Sequence, residues 1–164
     1  MVTASVIATG LVVLAILALF APRQKGSDDS SAAGPPALSP SAARYLAIAT
    51  AANHRLEIAN DGYKKDELGN LVAARADLRS EVATETSFDT QLAQIPFPRS
   101  DATIVRALIR ANEQRGALTA RQARSTSLAQ LRSFDARHAA TDAAVEVQVR
   151  LIRKALHLPP PKTS

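Results

Sequence analysis

Between Val2 and Ala21 the chain carries no charged residue, and "LVVLAILALFA" within that run is nearly continuous hydrocarbon. A helix rises about 1.5 Å per residue, so a run of this length reaches across a bilayer core about 30 Å thick. A helix apolar on every face has no side to turn to water. Residues 1–21 are therefore expected to form a transmembrane helix, and residues 2–21 to be the contact with the membrane.

Cleavage of this segment is disfavoured. A leader is cut where small residues stand one and three positions before the bond. A cut after Ala21 would place Leu19 at the outer position and Pro22 just beyond; a cut after Ala18 would place Ile16 there. The leading "MVTAS" also lacks Lys and Arg. The expectation is an uncleaved signal anchor. Its orientation is contested by two observations. Flanking cations mark the cytoplasmic side, and here they are Arg23 and Lys25, after the span. Against that stands the layout of one N-terminal span, a spacer and one domain, which is common among exported bacterial proteins. The extracytoplasmic reading is preferred. Ala4 and Ala8, like Ser5 and Thr9, are small residues four apart, a spacing that lets spans pair; oligomeric state is left open.

Residues 22–39 are rich in Ser, Gly, Pro and Ala, with Leu38 the one large apolar residue. Such a segment buries too little to offset its ordering entropy and reads as a flexible linker. "SPSAARYL" then starts a helix, with Ser39 as cap and Pro40 in its first turn. From here to Leu158 the apolar residues recur at helical spacing. Tyr45, Ile48, Ala49, Ala52, Leu56 and Ala59 form one stripe, and "NDG" at Asn60–Gly62 is expected to break it. A second helix is expected from Asp66 to Ile95, with Leu68, Leu71, Leu78, Val82 and Leu92 inward, stopped by "IPFP". A third is expected from Ser100 or Asp101 to His138, possible kinking being placed near Gly116. The fourth is expected from Thr141 or Asp142 to Leu158, with Val145, Val149, Ile152 and Leu156 as its stripe. Strand alternation is not sustained anywhere. The fold class is all-α: an antiparallel up-down bundle of about four helices over residues 40–158, with a Pro-rich tail at 159–164. With 4% aromatics and no Trp, its core must be thin and rich in alanine.

The chemistry the chain excludes is broad. No Cys means no disulfide, thiol nucleophile, thiolate metal site or lipidated cysteine. Six glycines form neither GxGxxG nor GxxxxGK, which removes the nucleotide-binding loops at motif level. His54, His138 and His157 show no Glu-x-x-His pair for a di-iron bundle, and each reads as structural or solvated. "STS" at Ser125–Ser127 has no nearby base or nucleophile elbow. Asp77, Glu81 and Glu85 stack like charges at i, i+4 and read as a solvated acidic edge. No catalytic residue, cofactor or metal is assigned, and nucleic acid is not an expected partner because the arginines are dispersed and aromatic platforms are lacking.

The net charge of +5 is uneven: residues 41–96 carry six basic and eight acidic residues, whereas 97–164 carry twelve basic and five acidic. An interaction face is therefore expected at Arg106, Arg110, Arg121, Arg124, Arg150, Arg153 and Lys154, suited to a protein partner or an anionic envelope polymer. "AARADLRSE", "FPRSDATIVRALIRANEQR" and "VRLIRKALHLPPP" resemble the small Ala/Arg-rich helical proteins of high-GC Gram-positive bacteria, secreted or membrane-anchored. That resemblance, over Ser41–Pro161, implies the bacterial cell envelope and carries no active-site residue. Two function classes follow. One is an interaction module at the envelope. The other is a ligand-binding sensor bundle or small enzyme, with Arg75, Glu85, Asn112 and Arg115 converging inside because they interrupt apolar stripes.

Overall fold

The computed structural model describes residues 37–161, so the expected span and most of the linker lie outside the described residues. Helix α1 spans Pro40–Asp66. The Ser39 hydroxyl accepts the Ala42 backbone N–H at 3.1 Å, and Pro40 stands where a missing N–H costs nothing. The expected break at Asn60–Gly62 does not occur. At Gly62 the next helix approaches so closely that a Cβ would lie 2.7 Å from Asp77 Oδ1. Gly62 therefore serves an interhelical approach and not a turn. The chain reverses over 67–70, where the Asn70 side chain accepts the Ala73 N–H at 3.1 Å and starts α2, Leu71–Ala93.

"IPFP" ends α2 as expected. Ile95 packs into the core, and the Ser41 hydroxyl donates to the Pro96 carbonyl at 2.8 Å, tying this loop to the start of α1. A 3₁₀ turn at Arg99–Asp101 leads into α3, Ala102–Gln122, which passes through Gly116 without interruption. The single long helix to His138 is not formed. Arg75 Nε–H donates to the Ala123 carbonyl at 2.8 Å, satisfying an acceptor at the end of α3. The Ser127 hydroxyl then accepts the Gln130 N–H at 3.1 Å, while Gln130 Oε1 accepts the Thr126 N–H at 2.7 Å. This reciprocal capping starts the short α4, Leu128–Arg132, whose Leu131 is fully buried. Helix α5 begins at Asp135, earlier than the expected Thr141, and ends at Ala155. His157 takes a left-handed conformation (φ 54°), and Arg153 Nε donates to the Pro159 carbonyl at 2.6 Å, folding the chain back over the end of α5.

The four long helices pack in sequence order, and no strand occurs among the described residues. Tyr45 of α1 meets Phe88 of α2 edge to face, while Gly62 meets Asp77, so the two helices run in opposite directions. The main core gathers Tyr45, Ala49 and Ala52 of α1, Phe88 and Leu92 of α2, Val105 and Leu108 of α3, and Val149 and Ile152 of α5. A smaller cluster at the other end joins Tyr63, Ala74, Leu78, Ala123 and Leu131. Among the described residues no helix is long and apolar enough to cross a membrane.

Candidate functional site

Between the two apolar clusters lies a layer of buried polar side chains. Arg115 of α3 is 4% exposed and directs each nitrogen of its guanidinium to a different carboxylate. Its Nε–H donates to Asp142 of α5 at 2.8 Å; Nη1 and Nη2 donate to Glu85 and Glu81, one turn apart on α2. All three acids are buried. Of the stacked acids expected to form a solvated edge, Asp77 is half-buried beside Gly62 whereas Glu81 and Glu85 are interior. Their i, i+4 spacing puts them on the core-facing side of α2, and the arginine reaches between them. Three elements are joined at one level. One guanidinium faces three carboxyl groups, and burial pushes the Glu81 and Asp142 carboxyls up, partly opposed by Arg115.

A second network lies beside it. Gln122 Nε2 donates to the Tyr63 hydroxyl at 3.0 Å and to the Leu131 carbonyl at 3.1 Å. Both amide hydrogens are thereby used, so Gln122 Oε1 accepts from His138 Nε2–H at 2.8 Å, which places a proton on Nε2. Burial, reinforced by the Arg115 charge, pushes the His138 imidazole down to about 4. The unfolded chain therefore takes up a proton between about pH 6.5 and 4 that the folded chain refuses. The stability contributed by His138 is present above pH 6.5 and lost as pH falls to about 4. Asp89 acts in the opposite sense: burial raises its carboxyl to about 6, despite the bond from Asn112, so its contribution is present below the unfolded carboxylate range and lost as pH rises towards 6. We expect the stability difference between the wild type and His138→Gln to widen in favour of the wild type from pH 4 to 6.5. Urea unfolding of both proteins at several pH values checks this; a difference independent of pH would contradict the buried neutral imidazole.

Of the interrupting residues identified from sequence, Glu85, Asn112 and Arg115 do converge inside, and Arg75 is half-buried against the end of α3. They bond to one another and their neighbours. Asn112 Nδ2 donates to Asp89 Oδ1 at 2.7 Å. The cavity bordered by Glu85, Asn112 and Arg115 is about 10 Å³, room for about one water molecule. His54 and His157 are exposed. No group of three or more His, Cys, Asp or Glu able to hold a metal ion occurs among the described residues.

Six residues of the expected basic face are exposed and one is not. Arg106, Arg110 and Arg121 share the exposed side of α3 by helical register, and Arg124 is exposed just beyond its end. Arg150 and Lys154 are exposed on α5, Arg150 pairing with Glu146 at i, i+4. Ala144, Val147 and Gln148 of α5 border a cleft with Ala107, Arg110 and Gln114 of α3. By helical register Lys154 falls within about 20° of Val147 and Arg150 within about 60°, so both lie on the Val147 side of α5. Arg153 does not belong to a surface: it is 6% exposed and bound to the Pro159 carbonyl. A stripe read along one helix cannot register a chain that folds back onto it.

The signals missed were the charged trio on Arg115 and the relay through Gln122. No known family model, curated protein or solved structure matches this chain.

Proposed function

We propose that this protein is a membrane-tethered helical interaction module of the bacterial envelope, held by residues 2–21 as an uncleaved anchor. Residues 22–39 join this anchor to an up-down bundle on the extracytoplasmic side, where the outer face of α3 meets an acidic protein surface or an anionic envelope polymer. The observation that carries this reading is the row of Arg106, Arg110 and Arg121 on one exposed helix face, none of them in an ion pair among the described residues. Unneutralised arginines with delocalised, weakly hydrated charge suit carboxylate or phosphate recognition. Arg115 and the acids around it are engaged with one another, which supports a surface role over an enclosed ligand or a small enzyme.

A photo-cross-linking residue at Ala117, on the same exposed face, tests this in living cells, with Ala76 on the exposed side of α2 as the control. The expected result is adducts from position 117 and none from 76. The Arg106→Glu, Arg110→Glu, Arg121→Glu triple variant should lose those adducts while unfolding within a few degrees of the wild type. Equal adducts from both positions, or adducts that survive the charge reversal, would refute the proposed face.

A further inference from the structure

Between α2 and α3, on the side away from α5, runs an open groove of about 450 Å³. Three of its lining residues are acids, Glu85, Asp89 and Glu113, and none is Lys, Arg or His. The groove offers acceptors and few donors. The Thr86 hydroxyl donates back to the Val82 carbonyl at 2.9 Å, and the Thr90 hydroxyl donates to the Thr86 carbonyl at 2.8 Å. Their oxygens keep only lone pairs for a visitor. The one amide in the lining, Asn112, already donates to Asp89.

The floor carries an independent sign of a missing partner. Glu85 is 6% exposed; Arg115 occupies one oxygen, and the other, Oε2, is buried with no hydrogen-bond partner among the described residues. It lies against Gly116, where a Cβ would come within 3.3 Å of it. The absence of a side chain at Gly116 leaves this oxygen at the base of the groove. A buried carboxylate oxygen without a donor is a substantial desolvation cost that an incoming N–H group would remove. The walls above it, Val82 and Ile109 among them, are apolar. Acceptors at the floor and hydrocarbon on the walls match a cationic head on an alkyl stem. The acids do not gather as a metal-ligand set, which sets a divalent ion aside.

The geometry points to the α2–α3 groove as a binding site for a primary alkylammonium group, with Asp89 and the free oxygen of Glu85 accepting its N–H bonds. The same chemistry is carried by a free aliphatic amine and by a lysine side chain of a partner.

Titration calorimetry of the full-length chain in mild detergent, with 1,4-diaminobutane, Nα-acetyl-lysine methylamide and magnesium chloride as separate probes, tests this. Saturable single-site binding of at least one amine is expected. Binding of the diamine alone assigns a free amine as the source, and binding of the lysine derivative assigns a partner side chain. Because Glu85→Gln would disturb the Arg115 cluster, the diagnostic variants are Asp89→Asn, which removes charge, and Ala120→Leu, which fills the groove. Each should weaken amine binding at least tenfold, while Glu57→Gln, exposed on α1, leaves it unchanged. No saturable binding by either amine, equal binding by Asp89→Asn, or a site that takes magnesium in place of amines would overturn the assignment.

Discussion

Arg115→Met is expected to destabilise the fold by about 3–5 kcal/mol, the range for removing one member of a buried ion cluster. Methionine fills similar volume, so little of the loss would come from packing. The loss comes from the three carboxyl groups left behind. Glu81, Glu85 and Asp142 are 9%, 6% and 7% exposed, and Arg115 is the one cation they share. Without it each acid must bind a proton or draw in water. For a domain of this size the melting temperature should fall by roughly 10 °C or more. The same geometry predicts an asymmetry. Glu81→Gln removes one of three anions around a single cation and keeps an oxygen that can accept from Nη2, so its cost should stay below about 1.5 kcal/mol. Thermal unfolding of the two variants of the full-length chain in mild detergent separates them. Arg115→Met within about 1 kcal/mol of the wild type, or Glu81→Gln matching it, would show that the cluster does not hold the helices together.

The second large effect lies in the core and comes with an internal control. Leu92 and Leu68 belong to the same expected apolar stripe, yet Leu92 is 0% exposed and Leu68 is 74% exposed. Leu92→Ala should cost about 2–5 kcal/mol, combining lost transfer energy with an unfilled cavity between α1, α2 and α3. Leu68→Ala, in the turn over 67–70, should stay within about 0.5 kcal/mol of the wild type. Urea unfolding of both variants measures the contrast. Similar losses at the two sites would place the turn elsewhere than at Gly69–Asn70.

The helices were legible where their apolar residues kept step with the helical repeat. Tyr45, Ala49, Ala52, Leu56 and Ala59 are all buried, as are Val145, Val149, Ile152 and Leu156. The boundaries failed where one residue type has two physical uses. A glycine after Asn and Asp reads as a turn, but Gly62 is the point where Asp77 of a neighbouring helix comes close. The turn signal that prevailed, Gly69–Asn70, was present in the sequence, with Asn70 as a cap. The break after α3 is marked by Ser127 and Gln130, three apart, a capping pattern that starts α4 and ends the continuous helix. The charged centre was visible only as interruptions at Glu85, Asn112 and Arg115. Spacing along one helix shows which residues turn inward, not what a neighbouring helix presents to them. The pairing of Arg115 with Glu81, Glu85 and Asp142 depends on how three helices are staggered, which no single segment encodes.

Similar limits apply to the surface. The arginines of α3 share one face because they share one helix. Arg153 was drawn inward by the carbonyl of Pro159, a contact made possible by the left-handed turn at His157. The interaction surface we propose is accordingly narrower than the charge count suggests: it leaves out Arg153 and centres on the exposed side of α3.

The proposed role requires the bundle to stand outside the membrane on its tether. Fusion of alkaline phosphatase after Ser164 measures this most directly, because that enzyme folds to activity only on the extracytoplasmic side. Active fusions, together with a protein mass that retains residues 2–21, are the outcome this account predicts. An inactive phosphatase fusion, paired with a fluorescent-protein fusion at the same position that does fluoresce in the cytoplasm, would follow the positive charges of Arg23 and Lys25 and contradict it.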